Sequence, residues 1–215
     1  MSRVLIIGAN GGIGRQCVQQ ALDAGHFVTA LLRNPAKLTQ THPHLQIVKG
    51  DITDLSSIKK HFQHQDMVIS ALGVSGGFGG DKPTTLYSQG AATILTLMQE
   101  TEIRRAFFIS ASAIEISPVL PWYVRFAEKY IVQKLLKHMY ADLRTMETII
   151  KGTDLDWTII RPPQLTNKPA TGKYRFAANN FLENCLKISR GDVAHFIIKH
   201  MHDDGICKGV IEIGY

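Results

Sequence analysis

Val4-Leu5-Ile6-Ile7-Gly8-Ala9-Asn10-Gly11-Gly12-Ile13-Gly14 is an uninterrupted apolar run that ends in a glycine-rich turn. Such a run suits a parallel strand covered on both faces. The apolar pattern then changes to helical spacing at Ile13, Cys17, Val18, Ala21 and Leu22. Strand, tight turn and helix follow in that order, and each glycine has a job. Gly8 can take the backbone angles of the turn, Gly11 lets a pyrophosphate approach with no Cβ in the way, and Gly14 lets the helix lie close to the strand. Asn10, Gly12 and Ile13 complete the candidate cradle. The helix N-terminus beyond them offers unpaired N–H groups and the positive end of a dipole to an anion. A phosphate loop of the nucleoside-triphosphatase kind would need Lys-Ser or Lys-Thr after its last glycine, and Arg15-Gln16 stand there instead.

Composition narrows the class. A chain of 215 residues with 45% hydrophobic and 20% charged residues has the make-up of an ordinary globular protein, and a single domain spanning 1–215 is expected. No stretch reaches the roughly 18 consecutive apolar residues of a membrane span, and the apolar N-terminus lacks a cleavage pattern, so a cytoplasmic protein is expected. Cys17, Cys185 and Cys207 lie far apart, and nine scattered histidines add no ligand spacing, so neither a disulfide framework nor a metal site is predicted. The formal charge of +6 comes without a basic block or a nucleic-acid recognition motif, so no nucleic-acid partner is expected. A basic surface would equally concentrate an anionic small molecule.

Beyond the cradle, apolar runs alternate with connectors. A second strand over Phe27–Leu32 ends at Arg33, where a site for the unphosphorylated dinucleotide would place a carboxylate on the ribose. Arg33 can pair with a 2'-phosphate, with Lys37 as a second cation, or it is a solvated loop arginine. Gln46–Lys49 reads as a third strand, followed by Gly50, Asp51 and Ile52, with Asp54 capping the next helix. Asp51 either bonds an adenine amino group or serves as a turn residue. Asp66–Ser70 leads into Ala71, Leu72 and Gly73, small or apolar residues beside which a ribose can lie, and then into the glycine-rich Ser75–Gly80, a loop that could fold over a ligand. Arg105–Ser110 forms a fifth strand, and Ser110 and Ser112 leave it where the nicotinamide half should reach. One long helical stretch is expected from Pro121 to Ile150, with core packing the commoner use of its stripe of Trp122, Tyr123, Phe126, Tyr130 and Ile131. The stripe could instead line a substrate pocket, with Trp122 its candidate, or a partner surface, and Arg125, Lys129, Lys134 and Lys137 raise the option of an anionic membrane surface. Asp156–Arg161 is a sixth strand running into Pro162, Pro163 and Gln164; an extended stretch surrounds Lys173–Arg175, and a last helix and strand close the chain. The alternation argues for an α/β fold, a doubly wound parallel sheet with helices on both faces and ligands beyond its C-terminal strand ends.

Taken together, Gly8 to Gly14, Arg33, Asp156-Trp157-Thr158-Ile159-Ile160-Arg161-Pro162-Pro163 and Arg190-Gly191-Asp192-Val193-Ala194 resemble the atypical short-chain dehydrogenase/reductase proteins. Within them the likeness is to the branch of flavin reductase/biliverdin reductase B and the relatives of the nitrogen-metabolite-repression regulators. It covers nearly the whole chain. The resemblance implies a single Rossmann-like domain that binds NADP(H), with Pro162 at the cofactor, and an acceptor such as a flavin or quinone.

The resemblance also implies where the chemistry should sit. Typical members use a Tyr-x-x-x-Lys pair, the tyrosine donating a proton and the lysine lowering its pKa and holding the ribose. Tyr130 with Lys134 matches by letter; Tyr140 with Arg144 matches by its distance from Arg161-Pro162 and is preferred. The biliverdin reductase B branch lacks that tyrosine and is matched at Ser112, but it has a histidine where Gln164 stands, and glutamine cannot shuttle a proton near neutral pH. Ser112 and Tyr140 are therefore the catalytic candidates, with Gln164 and Trp122 for the acceptor. Two functions follow: an NADPH-dependent reductase of a planar conjugated acceptor, or an NADP(H)-binding redox sensor without turnover.

Overall fold

The computed structural model describes residues 1–73 and 83–215, so the Ser75–Gly80 loop lies outside the described residues. Its central sheet has eight strands in the order β3-β2-β1-β4-β5-β6-β10-β8. These are β1 (Arg3–Ile7), β2 (Phe27–Leu32), β3 (Leu45–Lys49), β4 (Met67–Ser70), β5 (Arg105–Ile109), β6 (Asp156–Arg161), β8 (Arg175–Ala178) and β10 (Gly209–Gly214). All neighbouring pairs are parallel except β10 with β8.

The unbroken apolar run of β1 follows from burial on two sides. Val4 and Ile6 join one apolar cluster, beneath α1 (Gly12–Asp23) and α7 (Arg190–Lys199), whereas Leu5 and Ile7 join the other, beneath α3 (Leu86–Glu100) and α6 (Lys137–Lys151). The chain winds outward from β1 to β3, then returns to β4 on the other side of β1. That reversal opens a crevice at the C-terminal strand ends, the place where open α/β sheets bind ligands.

Three local expectations are corrected. The stretch from Pro121 is broken into α4 (Trp122–Ala127), a wide π-helical turn (Glu128–Val132), α5 (Gln133–Leu135) and α6, with Leu136 outside the helical basin at φ −108° and ψ 22°. Val132 and Leu136 pack on the core, but Trp122, Tyr123, Phe126, Tyr130 and Ile131 are exposed, so the stripe is not core. The extended stretch at Lys173–Arg175 begins only at Arg175, where β8 pairs with β10. A separate pair, β7 (Gln164–Thr166) with β9 (Lys187–Ser189), was not foreseen, because three-residue strands are too short to show a period. Asp54 does cap its helix, α2 (Leu55–Ile58), accepting from the Ser56 and Ser57 amides.

Candidate cofactor and acceptor site

A cleft of about 550 Å³ runs along the C-terminal strand ends and is walled by the loops after β1 to β6. At its centre is the glycine turn. Gly8 has φ +77°, and a Cβ there would stand 2.3 Å from the Ala71 carbonyl oxygen. A Cβ on Gly14 would meet the Gly8 carbonyl oxygen at 2.3 Å and Ala9 Cα at 2.9 Å, so this glycine lets α1 sit against β1 from behind the cradle. Gly8, Asn10, Gly11, Gly12 and Ile13 form the wall itself. Gly11 caps α1 without a side chain, and no acidic residue occupies the first turn, which leaves its amides and dipole to an anion.

On one side of the cradle, Arg33, Asn34 and Lys37 face the cleft together with Gly50, Asp51 and Ile52. Arg15 ties this corner to the turn, its Nη2 donating to Asn10 Oδ1 at 2.6 Å and to the Lys37 carbonyl at 2.7 Å. Asp51 has the turn role: its Oδ1 accepts from the Thr53 amide and hydroxyl at 3.0 and 2.8 Å. Those bonds, with some help from the Arg33 charge, hold its carboxyl below the usual range. It nevertheless faces the cleft.

On the other side, Ala71, Leu72, Gly73, Ser110, Ala111, Pro162, Pro163 and Leu165 line the cleft, and α6 contributes Met139 and Leu143. Ser110 Oγ donates to Glu147 Oε1 at 2.8 Å. Glu147 is buried and also receives Arg161 Nε and Nη2 at 2.9 and 2.7 Å and Lys151 Nζ at 3.0 Å. Burial alone would raise the Glu147 carboxyl, but the Arg161, Ser110 and Lys151 contacts outweigh it and hold the group below its ordinary range.

The catalytic candidates do not meet here. Ser112 begins a tight turn, Ser112–Ile114, that carries the chain away from β5, and it faces a smaller hollow with Glu115, Ser117, Glu128 and Glu212. Tyr140 is buried in the apolar cluster between α6 and α3, because residues one turn apart on α6, Met139 and Leu143, take the cleft face. Burial pushes its hydroxyl up to about 12, with the Glu128 charge adding and Arg144 opposing. Arg144 is not at the ribose: its Nε and Nη2 donate to the Ile114 carbonyl at 3.0 and 2.6 Å. Tyr130, the alternative by letter, stands exposed on the π-helical turn. Gln164 is exposed because strand alternation gives the cleft face of β7 to Leu165. Trp122 is exposed on α4 and does not line the cleft.

Sequence reasoning missed Arg190, which lines the cleft beside Gly12 and donates from Nη1 to Asn167 Oδ1 at 2.7 Å. Two residues on, Asp192 anchors the start of α7: its buried carboxylate accepts from the Thr171 and Gly172 amides at 2.8 and 2.7 Å, the Ser189 hydroxyl at 2.9 Å and the Tyr215 hydroxyl at 2.5 Å. The signal was the Arg190-Gly191-Asp192 run, which reads only as a motif until α7 is placed against α1. Asp142 was missed as well; it caps α3 from across the interface, accepting from the Tyr87 and Ser88 amides at 2.9 and 3.2 Å.

Comparison with known proteins bears on the fold and the cofactor. The NAD(P)H-binding family model matches residues 8–204. The chain is 30% identical over 207 residues to a Bacillus subtilis (strain 168) protein named as the uncharacterized sugar epimerase YhfK, covering 94% of this chain and 88% of that one. The fold is shared with the oxidoreductase YlbE of Lactococcus lactis (TM-score 0.80, 23% identity, 99% and 90% of the two chains). It is also shared with a short-chain dehydrogenase/reductase of Veillonella parvula solved in complex with NADP (TM-score 0.79, 18% identity, 100% and 94%).

Proposed function

Because the chain belongs to the NAD(P)H-binding family, we propose that it is an NADPH-dependent reductase that transfers hydride to a planar conjugated acceptor such as a flavin or quinone. The observation that carries this reading is the contrast between the two ends of the cleft. The end beyond β2 and the cradle presents the cations Arg33, Lys37 and Arg190, which suit a 2'-phosphate and a pyrophosphate. The end beyond β5 and β6 is lined by Ser110, Ala111, Met139, Leu143, Pro162, Pro163 and Leu165, with no charged side chain among these residues, and Tyr87 of α3 lines the cleft beside α6.

Bound NADPH would supply the hydride; the side chains have the work of holding and shielding. The glycine turn receives the pyrophosphate, and the apolar end excludes water and accepts a flat, apolar ring. Ser110 commits its proton to Glu147, so its oxygen can accept a hydrogen bond from a carboxamide or a ring N–H. A reduced flavin or quinone is a stabilised anion that solvent can protonate, so this chemistry does not require an acid in the cleft.

The absence of Ser112 and Tyr140 from the cleft lining suits a second reading, a protein that binds NADP(H) and reports redox state without turnover. NADPH oxidation measured with riboflavin, FMN and several quinones separates the two. Acceptor-dependent oxidation supports the reductase. Tight NADPH binding with no acceleration by any acceptor removes it and leaves the sensor.

A further inference from the structure

The segment from α4 to the start of α6 carries surface chemistry that cofactor binding does not use. Single exposed apolar residues are ordinary, but Trp122, Tyr123, Phe126 and Ile131 are 78, 60, 57 and 62% exposed, and Tyr130 and Leu135 are exposed beside them. The rings pair along the segment. Trp122 meets Tyr123 edge to face at 6.1 Å between centroids, and Phe126 packs on Tyr130 at 4.5 Å. The orientation of the strip is fixed from below: Val132, Leu136 and Met139 pack on the core, and Gln133 Nε2 donates to the Ala113 carbonyl at 3.1 Å.

Cations frame this strip. Arg125, Lys129, Lys134 and Lys137 are exposed, and none has a carboxylate partner among the described residues. Lys129 Nζ lies 5.4 Å above the Tyr130 ring. The one carboxylate between Trp122 and Lys137, Glu128, turns inward to the hollow with Glu212.

We propose that this face docks the protein on an anionic lipid bilayer. Tryptophan, tyrosine and phenylalanine settle at headgroup depth, while lysine and arginine stay at the anionic surface with their stems along the apolar boundary. Charge decides against a second copy of the chain as the occupant, because a two-fold contact would set four unpaired cations against four. It also distinguishes this face from a spanning element: no helix among the described residues is long and apolar enough to cross a membrane. The contact is peripheral, and screening by salt should weaken it.

The test is co-sedimentation of the full chain with phosphatidylcholine vesicles, with and without phosphatidylglycerol, at low and high salt. The protein should pellet with the phosphatidylglycerol vesicles at low salt only. Trp122 fluorescence should shift to the blue there, since the other tryptophan, Trp157, is already buried. A Trp122→Ser/Phe126→Ser variant and a Lys129→Glu/Lys134→Glu variant should each lose about tenfold or more of the vesicle affinity, with unchanged melting and NADPH affinity. Failure to pellet with anionic vesicles, or variants that pellet like the parent, would overturn the proposal. So would a dimer in solution that these substitutions dissolve while vesicle binding is absent, which would assign the face to a second copy. None of these readouts depends on turnover, so the reductase reading stands or falls separately.

Discussion

Arg161 and Glu147 form a buried pair with two parallel contacts, Nε to Oε1 at 2.9 Å and Nη2 to Oε2 at 2.7 Å, directly behind the cleft-lining Ser110. Removing Glu147 leaves the buried Arg161 with the exposed Glu115, 2.7 Å from Nη1, as its remaining carboxylate. Glu147→Ala should therefore cost less in chemical denaturation than the roughly 3 to 5 kcal/mol of a buried pair broken outright. Glu147→Gln should cost less near neutral pH because it keeps the shape. The folded carboxyl lies below its ordinary range, so its contribution is complete above the unfolded value and is lost as pH falls through the folded one. The gap between the parent and Glu147→Gln should therefore narrow on acidification from the ordinary carboxylate range. A gap that widens in acid would reject this account.

Arg33 and Lys37 face the cleft on the side of the cradle where a 2'-phosphate would lie. Arg33→Ala should weaken NADPH by about one to two decades, the value of a charge-assisted contact, and leave NADH nearly unchanged. Titration of parent and variant with both cofactors decides it. Equal losses, or none, would remove the basis for NADPH preference.

Gly11 and Gly14 should fail in different ways. A Cβ on Gly11 meets the Gly8 carbonyl oxygen at 3.2 Å and the Ala71 carbonyl oxygen at 3.8 Å, with no overlap under 3.0 Å, so Gly11→Val should fold and lose both cofactors. A Cβ on Gly14 would collide with backbone at 2.3 Å, so Gly14→Ala should lower the melting temperature. Gly11→Val with unchanged melting and normal NADPH binding would show that the dinucleotide does not lie on this turn.

How much of this was legible follows from the range of each interaction. The cradle, Arg33 and the strand ends were readable because a strand, a turn and a helix N-terminus are written in consecutive residues. The first six strands were readable as segments along the chain, whereas their order in the sheet came only with the structure. Tyr140 and Ser112 were misplaced because reaching the cleft depends on helix rotation and on one tight turn, and neither leaves a period in the sequence. Arg190 and Glu147 depend on contacts between elements far apart in the chain, so their letters alone did not single them out. The Trp122 to Ile131 stripe read as core because periodicity reports which residues share a face, not what covers that face.

Arg190 lies across Gly12 so closely that a Cβ on the glycine would stand 2.4 Å from its Cδ and 2.6 Å from its Nε. A guanidinium in this place would face a pyrophosphate bound on the glycine turn, a group that both cofactors carry. Arg190→Ala should weaken NADPH and NADH by the same factor, about one decade, in contrast to Arg33→Ala. Gly12→Ala should fold, since the obstructing atoms belong to a flexible side chain, but it should push Arg190 aside and copy part of that loss. The double variant should then lose little more than Arg190→Ala alone, because the two changes act on one contact. Additive losses would separate the residues and leave Arg190 without a role at the cradle.

Tyr140 sits behind the cleft wall with its hydroxyl pushed up to about 12, so it is poorly suited to give a proton to an acceptor at Ser110. Tyr140→Phe should reduce quinone or flavin turnover by less than about tenfold, whereas loss of a working general acid typically costs about two decades or more. Ser110→Ala makes the complementary test. It removes the one hydroxyl that both faces the cleft and bonds Glu147, so it should raise the acceptor KM more than it lowers kcat, through loss of orientation. Ser112→Ala, altered on the separate hollow, should leave both constants near the parent's. The three variants are compared in steady-state turnover with one flavin and one quinone, alongside NADPH affinity. A loss of about two decades or more in Tyr140→Phe, with Ser110→Ala near normal, would restore the tyrosine as proton donor and require α6 to rotate in the working enzyme.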